Sequence, residues 1–175
     1  MQRLPQFIQH WVKRYLFLDA NLYQDIAKMQ HYWRLRQQCS PHSFKALWLD
    51  LRIAHYRKMT RKKYACDIVP SCTLGNVHFR HPTGIIIGGG AVLKDGVTIL
   101  QNVTLGAVNF DGHHRGVACS QIVGENTVLC AGAKILGNVV IGKNCIIGAN
   151  AVVTQDVPDN HLVVGYNRLI AREME

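Results

Sequence analysis

The sequence predicts an all-β solenoid of stacked three-sided coils, preceded by a basic α-helical region. Three observations carry this. The chain repeats every six residues from Val123 onward, Gly and Asn recur at fixed places in the repeat, and the excess positive charge is confined to the first third of the 175 residues.

Residues 1–66 hold 13 Lys+Arg and three Asp, a net of +10, whereas residues 67–175 hold 7 Lys+Arg and 8 Asp+Glu. Two regions with different roles follow: a basic helical segment over 1–66 and a repeat domain over 67–160. The domain carries an inserted loop at 107–121, and a tail follows at 161–175. A 48% apolar fraction and a mean hydropathy of zero exclude a disordered chain. Charge or glycine breaks each apolar stretch, so no bilayer-spanning helix is expected. Lys13 and Arg14 interrupt the apolar residues near the start, and no small-residue cleavage site follows. A signal peptide is therefore not expected, and the cytoplasm is the default location.

The first helix is expected over Asn21 to Arg36, with Leu22, Ile26, Met29, Tyr32, Trp33 and Leu35 on one side. Ser43, after Pro41, suits the cap of a second helix from Phe44. Along that helix Leu47, Trp48, Leu51, Ile53, Ala54 and His55 recur at roughly helical spacing. This stripe is expected to pack on the rest of the protein; insertion into a membrane interface is the alternative. Arg57 to Lys63 places five positive charges in seven residues. Nucleic acid, an anionic membrane surface and an acidic polymer all suit such a run, and so does a solvated helix end. It lacks interleaved aromatics, which argues against nucleic acid.

The repeat reads VGENTV, LCAGAK, ILGNVV, IGKNCI, IGANAV, VTQDVP. Its first position is aliphatic (Val123, Leu129, Ile135, Ile141, Ile147, Val153) and its fifth is small or β-branched (Thr127, Ala133, Val139, Cys145, Ala151, Val157). The same frame begins at Ile87, Leu93 and Ile99, with fragments at Ile68 and Leu74 shifted by one residue near position 80. A period of six fits neither a helix nor a coiled coil. Gly and Asn tolerate the positive φ of sharp turns, so each block gives a short strand and a turn. Three blocks close one coil, and four to five coils are expected, with the first and fifth positions inward. The six cysteines contain no C-x-x-C pair. They read as small buried thiols, not as a zinc or redox site, and no metal is expected.

The frame breaks between Gly106 and Ile122, where a polar, glycine-containing loop carries His113, His114 and Arg115. Adjacent histidines lack metal-ligand spacing; substrate contact and plain exposure both fit them. The frame slips again at Arg80-His81-Pro82-Thr83-Gly84, where a histidine meets a rigid turn. The residues alone leave a surface histidine, a functional His81 and the rival His78 all open.

DIVPSCTLG, HPTGIIIG, DGVTILQNVTLG and GAKILGNVVIGKNCIIGANAVVTQDVP together resemble the hexapeptide-repeat acyltransferases of the serine acetyltransferase type. They look even more like the capsule and exopolysaccharide O-acetyltransferases of the same architecture. The resemblance covers roughly residues 65–165 and implies a left-handed parallel β-helix. It also implies an acetyl-CoA-dependent O-acetyltransferase in which His81 is the general base and Asp67 orients it. A backbone N–H after Leu105-Gly106 would meet the oxyanion. Acetyl-CoA would lie between neighbouring prisms of a homotrimer, against Gly106, Ala131, Ala133, Lys134, Lys143 and Ala149, with Arg168 near the nucleotide. The tail around Arg168 departs from the family's usual G-N-P-A-R ending.

Other departures bear on the acceptor. Serine acetyltransferases carry an aspartate before the histidine; here it is Arg80. Their R-H-P element has no clean counterpart in the inserted loop, and the helical region is shorter. With the basic region, Arg80 favours a sugar or acidic polysaccharide acceptor contacted by Arg80, His113, His114 and Arg115. Serine is the alternative acceptor, and a non-catalytic binding module is a third reading. Peripheral membrane contact through the basic helices is a further expectation.

Overall fold

A computed structural model describes residues 18–107 and 120–165. Two helices lead into a left-handed parallel β-solenoid. The first face of the prism stacks β1 (Asp67–Ile68), β4 (Ile86–Ile87), β7 (Thr104–Gly106), β10 (Lys134–Leu136) and β13 (Val152–Val153). The second stacks β2 (Thr73–Leu74), β5 (Val92–Leu93), β8 (Gln121–Val123) and β11 (Val139–Ile141). The third stacks β3 (His78–Phe79), β6 (Thr98–Ile99), β9 (Val128–Leu129), β12 (Ile146–Ile147) and β14 (Leu162–Val163). Each pairing is parallel, and equivalent residues align: Ile87 on Leu105, Leu105 on Ile135, Ile135 on Val153.

The six-residue frame explains the core. The first and fifth positions from Val123 to Val157 are all buried and form ladders along the prism axis. Cys145 and Cys72 belong to the buried set and are free thiols. Burial pushes the Cys72 thiol up to about 11, a hydrogen bond from Gln30 opposing it, so it stays protonated at neutral pH.

The edges explain the Gly and Asn positions. Where the third face turns into the first, left-handed backbone recurs at Gly84, Asn102, Gly132 and Asn150 (φ 68°, 59°, 75° and 57°). The N–H groups of Asn102, Gly132 and Asn150 donate to the coil below, at Thr83, Gln101 and Ala131. Gly and Asn alternate up this edge because each Asn carboxamide lies on the glycine of the coil beneath. A Cβ at Gly132 would strike Asn150 Oδ1.

The first helix, α1 (Leu18–Gln37), buries Leu22, Ile26 and Met29 as expected. It reaches the solenoid through Gln30 Nε2, which donates to the Cys72 carbonyl at 2.8 Å. The second helix, α2 (Phe44–Tyr64), is capped by Ser43, whose hydroxyl accepts from the Ala46 N–H at 3.1 Å. Its packing corrects the expected stripe. The buried residues are Ala46, Leu49, Thr60 and Tyr64, while Phe44, Leu47, Trp48 and Leu51 are 49–85% exposed. Phe44, Leu47 and Leu51 are left facing solvent, while the half-exposed Trp48 ring packs edge-on against Tyr32 of α1 at 5.9 Å. Arg52 lies over the rings of Tyr32, Trp48 and Tyr56 at 5.2–5.8 Å, a cation–π cluster joining the two helices. Among the described residues no helix is long and apolar enough to cross a membrane.

Gly132→Ala combines a left-handed backbone with an overlap against Asn150, so about 1–3 kcal/mol of stability should be lost in urea unfolding. Adding Asn150→Gly should restore part of that loss. Strict additivity of the two substitutions would contradict this account of the edge.

Candidate functional site

The lowest coil departs from the period, and the departure positions the candidate site. Phe79 lies five residues beyond Leu74, and Ile87 lies eight beyond Phe79. Elsewhere on this edge the step is six, as from Ile99 to Leu105. The extra residues form a loop, Arg80 to Ile85, at the edge between the third and first faces. His81 itself takes the left-handed conformation (φ 52°) that Asn or Gly takes in the coils above. Its carbonyl accepts from the Thr83 N–H at 2.7 Å, a tight turn around Pro82. The ring is exposed and makes no hydrogen bond among the described residues.

Two backbone hydrogen bonds stitch this loop to the chain that leaves α2. The Gly84 N–H donates to the Tyr64 carbonyl at 3.2 Å, and the Asp67 N–H donates to the Ile85 carbonyl at 2.9 Å. Asp67, the first residue of β1, pairs with Ile86. Asp67 and His81 therefore belong to adjoining backbone segments. The Asp67 carboxylate, however, is held by two arginines of α2. Arg57 donates through Nε to Oδ1 at 2.9 Å and through Nη2 to Oδ2 at 3.3 Å, and Arg61 donates through Nη2 to Oδ2 at 2.5 Å. Desolvation opposes the charge on Asp67, but the hydrogen bonds and positive charges of Arg61 and Arg57 outweigh it and hold its carboxyl below the ordinary value.

The expected acetyl-CoA wall divides among three edges. Ala131 and Ala149 lie on the edge that carries His81. The Lys134 ammonium reaches the same edge and donates to the Asn102 carbonyl at 2.5 Å. Gly106 ends β7, on the way to the next edge. Lys143 stands on the remaining edge, its Nζ 3.9 Å from Asp159. Ala133 needs correction: its side chain is fully buried on an inward ladder and cannot touch a ligand outside the prism. Arg80 is exposed. His113, His114, Arg115 and Arg168 lie outside the described residues. No group of three or more His, Cys, Asp or Glu that could hold a metal occurs among the described residues.

Gln121 was not among the expected site residues, although the frame points to it. It aligns with Val139, an inward fifth position, and is fully buried. Its Nε2 donates to the Gly106 carbonyl at 3.0 Å and the Gly137 carbonyl at 2.5 Å. It thereby ties both ends of the inserted segment to the coil above, while its Oε1 has no partner among the described residues.

Residues 122–155 match the family model described as bacterial transferase hexapeptide (six repeats). A serine acetyltransferase of Mycobacterium tuberculosis is 41% identical over 109 residues, which is 62% of this chain and 46% of the relative. Among solved structures, a serine acetyltransferase in complex with cysteine superposes with a TM-score of 0.68 at 30% identity, covering 93% of this chain and 58% of that one. A serine acetyltransferase in complex with CoA gives a TM-score of 0.66 at 30% identity, with 85% and 55% covered. The chain thus spans only about half the length of these relatives.

These likenesses overturn the expected sugar or polysaccharide acceptor, since the proteins matched are serine acetyltransferases. Five basic residues of that region are engaged within the chain: Arg57 and Arg61 on Asp67, Arg36 on Asp50, Lys63 on Asp25, and Arg52 in the aromatic cluster. A positive net charge does not by itself specify an acidic acceptor. The six-residue period and the three-faced prism give this chain a hexapeptide-repeat solenoid, and it is similar in sequence and fold to serine acetyltransferases over about half of their length.

Proposed function

We propose that the protein is an acetyl-CoA-dependent O-acetyltransferase of the serine acetyltransferase type, with L-serine as acceptor. The observation that supports this most is the loop bearing His81, stitched by backbone to the segment bearing Asp67. In this reading the neutral imidazole of His81 removes the proton from the serine hydroxyl as its oxygen attacks the thioester carbonyl carbon. Asp67 fixes the ring orientation and stabilises the imidazolium that forms. The tetrahedral intermediate collapses by breaking the carbon–sulfur bond. The CoA thiolate leaves and takes up the proton from His81, giving O-acetylserine and CoA.

Arg80 stands where the family resemblance places an aspartate that holds the serine amine. Here its guanidinium serves the α-carboxylate of the acceptor instead, a charge-assisted contact beside the base. The donor groove is formed between chains. Within one chain His81, Ala131, Ala149 and the Lys134 ammonium share one edge, while Gly106 ends β7 toward another. A neighbouring prism in a homotrimer brings the second edge to the first. Small side chains at Gly106, Ala131 and Ala149 let the pantetheine arm approach backbone amides, and Lys134 serves the acidic end of the donor.

Thiol release from acetyl-CoA should depend on L-serine and should fall roughly 10²–10⁴-fold in His81→Ala. A wild-type rate in His81→Ala, or no response to serine, would remove this reading. Arg80→Ala should raise the KM for serine about tenfold with a smaller change in kcat. An unchanged KM would remove the carboxylate role of Arg80.

A further inference from the structure

The basic run on α2 contains two arginines whose partner is the carboxylate assigned to orient His81. Both project from the last two turns of the helix and converge on the carboxylate of Asp67. A carboxylate offers about four lone-pair sites. Arg57 takes one on each oxygen and Arg61 takes the second on Oδ2. One site on Oδ1 is left, enough for one imidazole N–H. The helix is held in place by its own C-cap, where the N–H of Ala65 (φ 52°) returns to the Arg61 carbonyl at 3.0 Å and the N–H of Cys66 to the Thr60 carbonyl at 3.5 Å.

The geometry points to Arg57 and Arg61 as positioning residues of the transfer reaction, which orient the Asp67 carboxylate and moderate the negative charge it presents to His81. This inference rests on the roles given above to His81 and Asp67. It makes the helical hairpin part of the catalytic apparatus and assigns the two arginines a use that a nucleic-acid or membrane contact would not explain. An unshielded carboxylate would stabilise the imidazolium more strongly and keep the base protonated to higher pH. Two guanidinium groups reduce that effect while leaving the carboxylate ionised. The charged and titratable groups on the surrounding elements are Arg80 on the same loop and His78 on β3. Tyr64 lies on α2 and Lys134 on β10, its ammonium on the Asn102 carbonyl of the same edge.

The test measures kcat/KM against pH for serine-dependent thiol release from acetyl-CoA. In Arg57→Gln/Arg61→Gln the acid limb should move to higher pH by about half a unit or more, with a reduced kcat. Arg57→Lys/Arg61→Lys keeps the charges and should leave the limb near its wild-type position, while kcat falls because the side-on guanidinium contact is lost. An acid limb at the wild-type pH in the Gln variant would overturn the inference, as would an equal shift in the Lys variant. If the double variant does not fold, Arg61→Gln alone answers the question, because Arg57 still bridges helix and strand; it should show a smaller shift in the same direction, and no shift overturns the inference. His81→Ala separates the two claims. Activity retained there removes the parent reading. Activity lost there, with an unmoved limb in the arginine variants, removes only the role of the arginines.

Discussion

Closure of a three-sided coil requires a backbone that reverses sharply at each edge, and the left-handed residues that recur along two of the edges are the constraint on which this structure depends. Along one edge Gly84, Asn102, Gly132 and Asn150 meet it; along another, Gly96, Asn126, Asn144 and Asn160 do. Each corner hands an N–H to the coil below, so the coils stay in register and the aliphatic ladders stay continuous. A short strand of two or three residues would be marginal alone. Stacked in register, these strands share one core and tolerate local exceptions at their ends.

The site is such an exception. Two extra residues at the lowest coil lengthen one corner, and His81 adopts the conformation that glycine or asparagine takes elsewhere. The lengthened loop is then fixed by backbone bonds to the exit from α2. The same exit carries Asp67 and brings Arg57 and Arg61 to it. Helix, first strand and corner loop therefore form one mechanical unit at the end of the prism. The arginines account for part of the basic character of the helices without any external anion.

Much of this is legible in the sequence because the period of six is unlike any helical period and its inward positions are chemically uniform. The slip near position 80 marks the corner loop, since a broken frame must place extra backbone outside the prism. Ser43 and the first helix follow local rules and were readable for that reason. The second helix was not, because apolar residues occur on two of its sides and spacing alone cannot choose the buried one. Gln121 was readable in principle: extending the frame backward from Val123 puts it inside, and a buried amide there must find carbonyls. The pairing of Arg57 and Arg61 with Asp67 was hidden because it crosses a helix end, where sequence distance says little about side-chain direction. The acidic acceptor expected from the basic region rested on net charge, which does not specify a substrate.

The central claim is that the reaction centre is shared, with His81 from one prism and the Gly106 edge from its neighbour. It is tested most directly by mixing two inactive chains, His81→Ala and Gly106→Trp. Among the described residues a Cβ at Gly106 meets only the Thr104 methyl, at 3.8 Å, so a larger side chain there is expected to obstruct the proposed donor groove while the prism still folds. Co-expressed in equal amounts, the two should form mixed trimers that recover roughly a quarter of the wild-type rate, because some interfaces then pair an intact histidine with an intact groove. Mixed trimers as inactive as either parent would contradict a shared centre.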